Sequence, residues 1–115
     1  MSPFTQKVIH IIKSIPSGSV MTYGQIARLA GSPRAARQVV RILHSMSGKH
    51  DLPWHRVINA KGQIGLSDDE SFNTQRLALE LEGVEFTKEN LISLEHYQFH
   101  PDVTEMSDES DIPEW

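Results

Sequence analysis

The residues best placed to do chemistry lie in one short run, Pro53-Trp54-His55-Arg56-Val57, where an indole, an imidazole and a guanidinium follow one another. Imidazole can move a proton near neutral pH, but only if a nucleophile or leaving group stands beside it. The chain holds no cysteine, which excludes disulfides, thiolate metal sites and every reaction carried by a sulfur nucleophile. Indole is no substitute, because its N–H is not lost near neutral pH. A second constellation is Arg34, Arg37, Arg41 and His44, spaced by three or four residues. On a helix these would line one face, and a row of cations suits phosphate and groove contact. The six histidines lack metal-ligand spacing, and the glycines do not form a phosphate-binding fingerprint. Neither a metal nor a cofactor is expected.

Those residues need a scaffold, and the hydrophobic pattern predicts a mainly helical one. Phe4, Val8, Ile11, Ile12 and Ile15 recur at helical spacing behind Ser2-Pro3, and Pro16 with Gly18 ends the run. Thr22 caps a short helix from about Tyr23 to Ala30, closed by Gly31. Ser32-Pro33 starts another at once, running to about Met46, with Ala36, Val39, Val40 and Leu43 toward a core. Two helices joined so tightly make a helix-turn-helix unit. Ser47 to Pro53 reads as a loop. Val57-Ile58-Asn59 and Gln63-Ile64-Gly65, around Ala60-Lys61-Gly62, read as a small β-hairpin, and behind a helix-turn-helix such a hairpin is a wing. A helix from about Phe72 to Glu82 is expected to turn Leu77 and Leu81 inward, with Gly83 at its end. Leu91, Ile92, Leu94 and Tyr97 suggest a last short strand or turn.

With 115 residues and no internal repeat, the chain is read as one domain, residues 1–100, followed by an acidic and disordered tail, 101–115. No apolar run approaches the roughly 20 residues that span a bilayer, and a signal-peptide pattern is missing at the N-terminus. A cytoplasmic, nucleoid-associated monomer without membrane contact is therefore expected. The net charge of −4 conceals a strong asymmetry. Residues 1–61 hold nine bases against Asp51 alone, net +8, whereas residues 62–115 hold two bases against fourteen acids, net −12. The positive part points to a polyanionic partner, nucleic acid above all.

The segment from Pro53 to Gly65 resembles the active-site segment of the O6-alkylguanine-DNA alkyltransferases, whose signature is Pro-Cys-His-Arg-Val. Trp54 stands where that family has its alkyl-accepting cysteine, a mark of the alkyltransferase-like proteins. The resemblance continues through Thr22-Tyr23-Gly24-Gln25-Ile26-Ala27, through Ala30 to Val39, and through Gln75-Arg76 and Glu82-Gly83-Val84. It implies the winged helix-turn-helix, DNA-binding domain of those enzymes and a non-enzymatic role: binding duplex DNA by its minor groove and flipping O6-alkylguanine into a pocket. Tyr23, Arg34, Ala35, Ala36, Arg37 and Arg41 would touch DNA, with Arg37 filling the gap in the stack and Tyr23 driving the nucleotide's rotation. The slim Ala35-Ala36 edge agrees with a narrow groove. Tyr23, Trp54, His55, Val57 and Ser67 would form the lesion pocket, with backbone groups at Trp54 and Val57 reading the base edge. Ser67 stands where many relatives place an arginine or tyrosine lid. Without an acceptor that could remove the alkyl group, benefit to the cell needs a partner, and the resemblance points to nucleotide excision repair. The alternatives are a winged-helix regulator and an alkyltransferase with another acceptor.

Overall fold

The computed structural model describes residues 2–101, so the acidic tail expected over 101–115 lies, from residue 102 on, outside the described residues. Helix α1 (Pro3–Lys13) begins at Ser2, whose hydroxyl accepts from the Thr5 N–H at 3.1 Å. Its apolar stripe buries Val8, Ile9, Ile11 and Ile12. Strand β1 (Met21–Thr22) leads directly into α2 (Tyr23–Leu29), and Thr22 with Gln25 makes a reciprocal capping box that fixes this junction. Gly31, at φ +98°, reverses the chain.

Helix α3 (Ala36–His50) starts three residues later than the Ser32-Pro33 signal predicts and runs past Met46. Ser-Pro opens a helix or a β-turn equally well. Here it opens a turn, with the Ala35 N–H donating to the Ser32 carbonyl at 2.9 Å. At the other end Gly48 is carried inside the helix, and the chain leaves it at Asp51 in the left-handed conformation (φ 52°). Val39, Ile42 and Leu43 are the buried residues of α3, whereas Ala36 and Val40 are only half-buried. The three helices share one core, joined by Met21, Leu52 and Val57.

The predicted hairpin does not form. After a 3₁₀ turn at Trp54–Arg56, β2 (Val57–Ile58) pairs in parallel with β1, Met21 opposite Val57 and Thr22 opposite Ile58. Both residues of β2 are buried, the pattern of a strand covered on both faces rather than of a half-exposed hairpin arm. The turn itself exists: Gly62 takes φ +79°, and the Asn59 carboxamide oxygen accepts from the Lys61 and Gln63 N–H groups. The arms meet there in one bond, Asn59 N–H to the Gln63 carbonyl at 3.0 Å, and the Gly62 carbonyl accepts from Ile92 N–H at 2.8 Å. No strand follows at residues 63–65.

Helix α4 (Asp69–Leu81) is capped by Asp68, which accepts from the Ser71 N–H and whose carboxyl this bond holds below its ordinary pKa. Its inward face is Gln75 and Leu79, not Leu77 and Leu81, which are 58% and 79% exposed. Spacing of four residues selects a stripe without saying which stripe meets the core; here Leu79 fills the second cluster with Val20, Ile58, Val84 and Ile92. A short α5 (Leu94–Tyr97) and the Phe86–Ile92 bridge close that cluster. Among the described residues, no helix is long and apolar enough to cross a membrane.

Candidate nucleic-acid interface and base pocket

The capping box places Tyr23 at the first position of α2, where burial pushes its phenol above the ordinary value of 10.0. Across from it, the 3₁₀ turn presents Trp54. The two rings bound a cavity of about 250 Å³, close to the roughly 300 Å³ at which small-ligand sites begin. Helix α3 supplies Val40, Leu43, His44 and Ser47 to its wall; Leu66 and, from α4, Ser71 and Gln75 complete it. The cavity is mostly apolar, with a polar group from each of several elements. The Ser47 hydroxyl is spent on the Leu43 carbonyl, and among the described residues neither serine is hydrogen-bonded to a histidine.

Of the five pocket residues expected from the sequence, Tyr23 and Trp54 are brought together, and three are not part of the lining. Val57 lies in β2, 1% exposed, as a core residue. Ser67 is exposed, and its neighbour Leu66 lines the cavity instead. His55 turns away to Glu82, its Nε2 at 2.7 Å from Oε2, while its ring meets Trp54 edge-on at 6.4 Å. An imidazole nitrogen facing a carboxylate must carry the proton.

Glu82 is the centre that the sequence reading missed. Arg56 grips it with two parallel bonds, Nε to Oε1 at 3.0 Å and Nη2 to Oε2 at 2.7 Å, and sends Nη1 to the Ile15 carbonyl at 2.8 Å. The Gly18 N–H donates to Oε1 at 2.9 Å. Burial pushes this carboxyl up, but Arg56, the Gly18 N–H and His55 outweigh it and hold its pKa at about 2. One carboxylate thus ties the segment before β1, the 3₁₀ turn and the end of α4 together behind Trp54. Arg56 is consumed inside the fold and leaves the cationic surface. The only signal for this role lay in the Glu82-Gly83-Val84 block.

The cations of the helix-turn-helix unit remain free. Arg37 and Arg41 are exposed on α3, and among the described residues neither meets an acid. Arg34 is exposed on the turn before α3 rather than on the helical row, and borders a shallow depression with Ser32, Ala35 and Gln38. Ala35 is the N-cap residue of α3 and Ala36 its first residue, both half-buried. His44 faces the cavity as well as solvent.

A helix-turn-helix with a free basic helix, and an aromatic cavity at its flank, defines a class of DNA-binding domain. Comparison with known proteins makes the class specific. The profile of the 6-O-methylguanine DNA methyltransferase DNA-binding domain matches residues 3–84. A curated Escherichia coli relative named DNA base-flipping protein is 45% identical over 97 residues, 84% of this chain and 74% of the relative. Alkyltransferase-like protein 1 of Schizosaccharomyces pombe is 39% identical, over 88% of this chain and 98% of its own. A crystal structure of S. pombe Atl1 with damaged DNA containing O6-carboxymethylguanine superposes with a TM-score of 0.75 at 39% identity, covering 88% of this chain and 98% of that one. Mycobacterium tuberculosis OGT in complex with DNA gives 0.57 at 33% identity, over 71% of this chain and 50% of that one. The chain belongs to the family of the 6-O-methylguanine DNA methyltransferase DNA-binding domain, as the resemblance implied.

Proposed function

We propose that this protein recognises O6-alkylguanine in duplex DNA without removing the alkyl group. The cavity between Tyr23 and Trp54, walled in part by Val40, Leu43, His44 and Ser47 of the same helix that carries Arg37 and Arg41, is the observation that carries this reading. Its supports are a chain with no cysteine, an indole at the position of the acceptor thiol, and relatives named for base flipping or crystallised with damaged DNA. Helix α3 approaches the minor groove by its slim Ala35-Ala36 edge. Arg37 fills the gap in the stack, Tyr23 crowds the neighbouring phosphate, and the alkylated base enters the cavity, where stacking on Trp54 holds it. Arg34 and Arg41 contribute phosphate contacts. Extrusion costs a few kcal/mol, less for a weakly paired alkylguanine. The bound complex then marks the site for nucleotide excision repair.

Flipping is tested with a duplex carrying 2-aminopurine beside O6-methylguanine, since loss of stacking raises its fluorescence. The expected result is a rise with the native protein, a smaller one with Arg37→Ala or Tyr23→Phe, and unchanged protein mass afterwards. Gain of one methyl group by the protein overturns the non-enzymatic reading. An equal rise on undamaged duplex overturns lesion recognition and favours a regulator of undamaged sites.

A further inference from the structure

The fold uses one side of α4. Ser71 and Gln75 line the cavity from that side, and Leu79 fills the second core cluster. Leu77 stands two residues from both Gln75 and Leu79, so it points about 200° around the helix from each, and Leu81 follows it one turn later. These are the two large apolar side chains that the described residues leave exposed. Adjacent apolar side chains within a polar rim are the pattern of a contact surface. Here the rim is acidic: Glu70 lies on the same stripe, seven residues before Leu77, and Glu80 flanks it, both exposed. Arg76, the base of this helix, is withdrawn from the rim. It lies 4.6 Å from the centre of the Phe86 ring, bonds Asn90, and meets Glu80 at 3.5 Å.

The charge of the rim decides what can cover the leucines. A duplex is repelled by it, and α4 meets the base cavity with its opposite face. Residues 102–115 of this chain hold six acids and no base, so they are repelled as well. The same face of a second copy carries the same acids, and the basic α3 of such a copy is engaged by DNA in the bound state. What remains complementary is an apolar segment that carries lysine or arginine. On these grounds, and resting on the excision-repair reading above, we infer that Leu77 and Leu81 with their acidic rim are the surface on which a basic, amphipathic segment of a repair protein docks while the lesion is held. The two sides of α4 then divide the work, one lining the base cavity and the other presenting the occupied complex to its partner.

The test uses the full chain, a saturated O6-methylguanine duplex and a reconstituted nucleotide excision nuclease whose incision of the damaged strand is measured. The double variant Leu77→Ser/Leu81→Ser, with both changes at exposed positions, is expected to melt with the native protein and to bind the duplex with native affinity. Its stimulation of incision is expected to fall by at least about tenfold, the factor that goes with burying one leucine. Glu70→Lys/Glu80→Lys, which keeps the leucines and reverses the rim, should lose that stimulation too. Native-like stimulation by either variant overturns the inference. Loss of duplex affinity in the leucine variant assigns the pair to DNA and overturns it as well. Native dimers in sedimentation that the leucine variant abolishes overturn it in favour of a second copy. Native protein that prefers the lesion yet leaves incision unchanged overturns it together with the hand-over to excision repair. Native protein that does not prefer O6-methylguanine over guanine refutes the lesion-binding reading itself, so the failures are distinct.

Discussion

Replacing Glu82 by glutamine keeps the side chain's shape and removes only its charge. Three partners lose by it: Arg56 through two nitrogens, the Gly18 N–H and His55. The carboxyl's ordinary pKa of 4.5 falls to about 2 in the folded protein. At about 1.4 kcal/mol per unit, this amounts to about 3 kcal/mol of stability near neutral pH. The side chain is only 14% exposed, so solvent screens little of it. The sign follows from proton uptake. Between pH 4.5 and 2 the unfolded chain binds a proton that the folded one refuses, so the stabilisation is complete above this window and lost as pH falls through it. Urea unfolding of native protein and Glu82→Gln from pH 7 to pH 2 reads both effects. The variant should be about 3 kcal/mol less stable at pH 7, equivalent to roughly 10–20 °C in Tm for a domain of this size, and the two curves should converge near pH 2. A difference below 1 kcal/mol at pH 7, or parallel acid limbs, refutes the reasoning.

Three further outcomes follow from the geometry. Leu79→Ala removes a fully buried side chain and should cost about 2–5 kcal/mol, while Leu77→Ala and Leu81→Ala, on the exposed face, should stay within about 0.5 kcal/mol; thermal unfolding separates them. Arg41→Ala should lower the slope of log affinity against log salt by about 1 on any duplex, whereas Arg37→Ala should reduce the preference for the lesion, as filter-binding titrations over a salt series will register. Trp54→Ala should weaken binding of an O6-methylguanine duplex by about 1–3 kcal/mol and leave guanine duplex affinity nearly unchanged, checked by fluorescence anisotropy.

Local signals carried much of the fold. Ser2-Pro3 and Thr22 marked two helix starts because capping is settled within four residues. Ser32-Pro33 misled because the same dipeptide serves a turn, and only the approach of Ala35 to Ser32 decides. The hairpin failed for a non-local reason: the partner of Val57-Ile58 is Met21-Thr22, held in place by α2 and α3 between them, and a turn with its own side-chain bonds at Asn59 imitates a hairpin tip. Leu77 and Leu81 shared a helical stripe, but the second core cluster sits behind Leu79.

The candidate site was legible where it is linear. Tyr23 and Trp54 stood out by residue type and by family pattern, and the structure places them across one cavity. Val40, Leu66 and Gln75 were not legible as lining residues, since each projects from a different element. Arg56 counted among the nine bases of residues 1–61 until Glu82, near in space and distant in sequence, claimed it.

Lesion recognition is tested most directly by the affinities of native protein for two duplexes identical except for a single O6-methyl group. The O6-methylguanine duplex should bind more tightly by at least about fivefold, the lower end of what one stacked base contributes. Equal affinity for the two duplexes contradicts it.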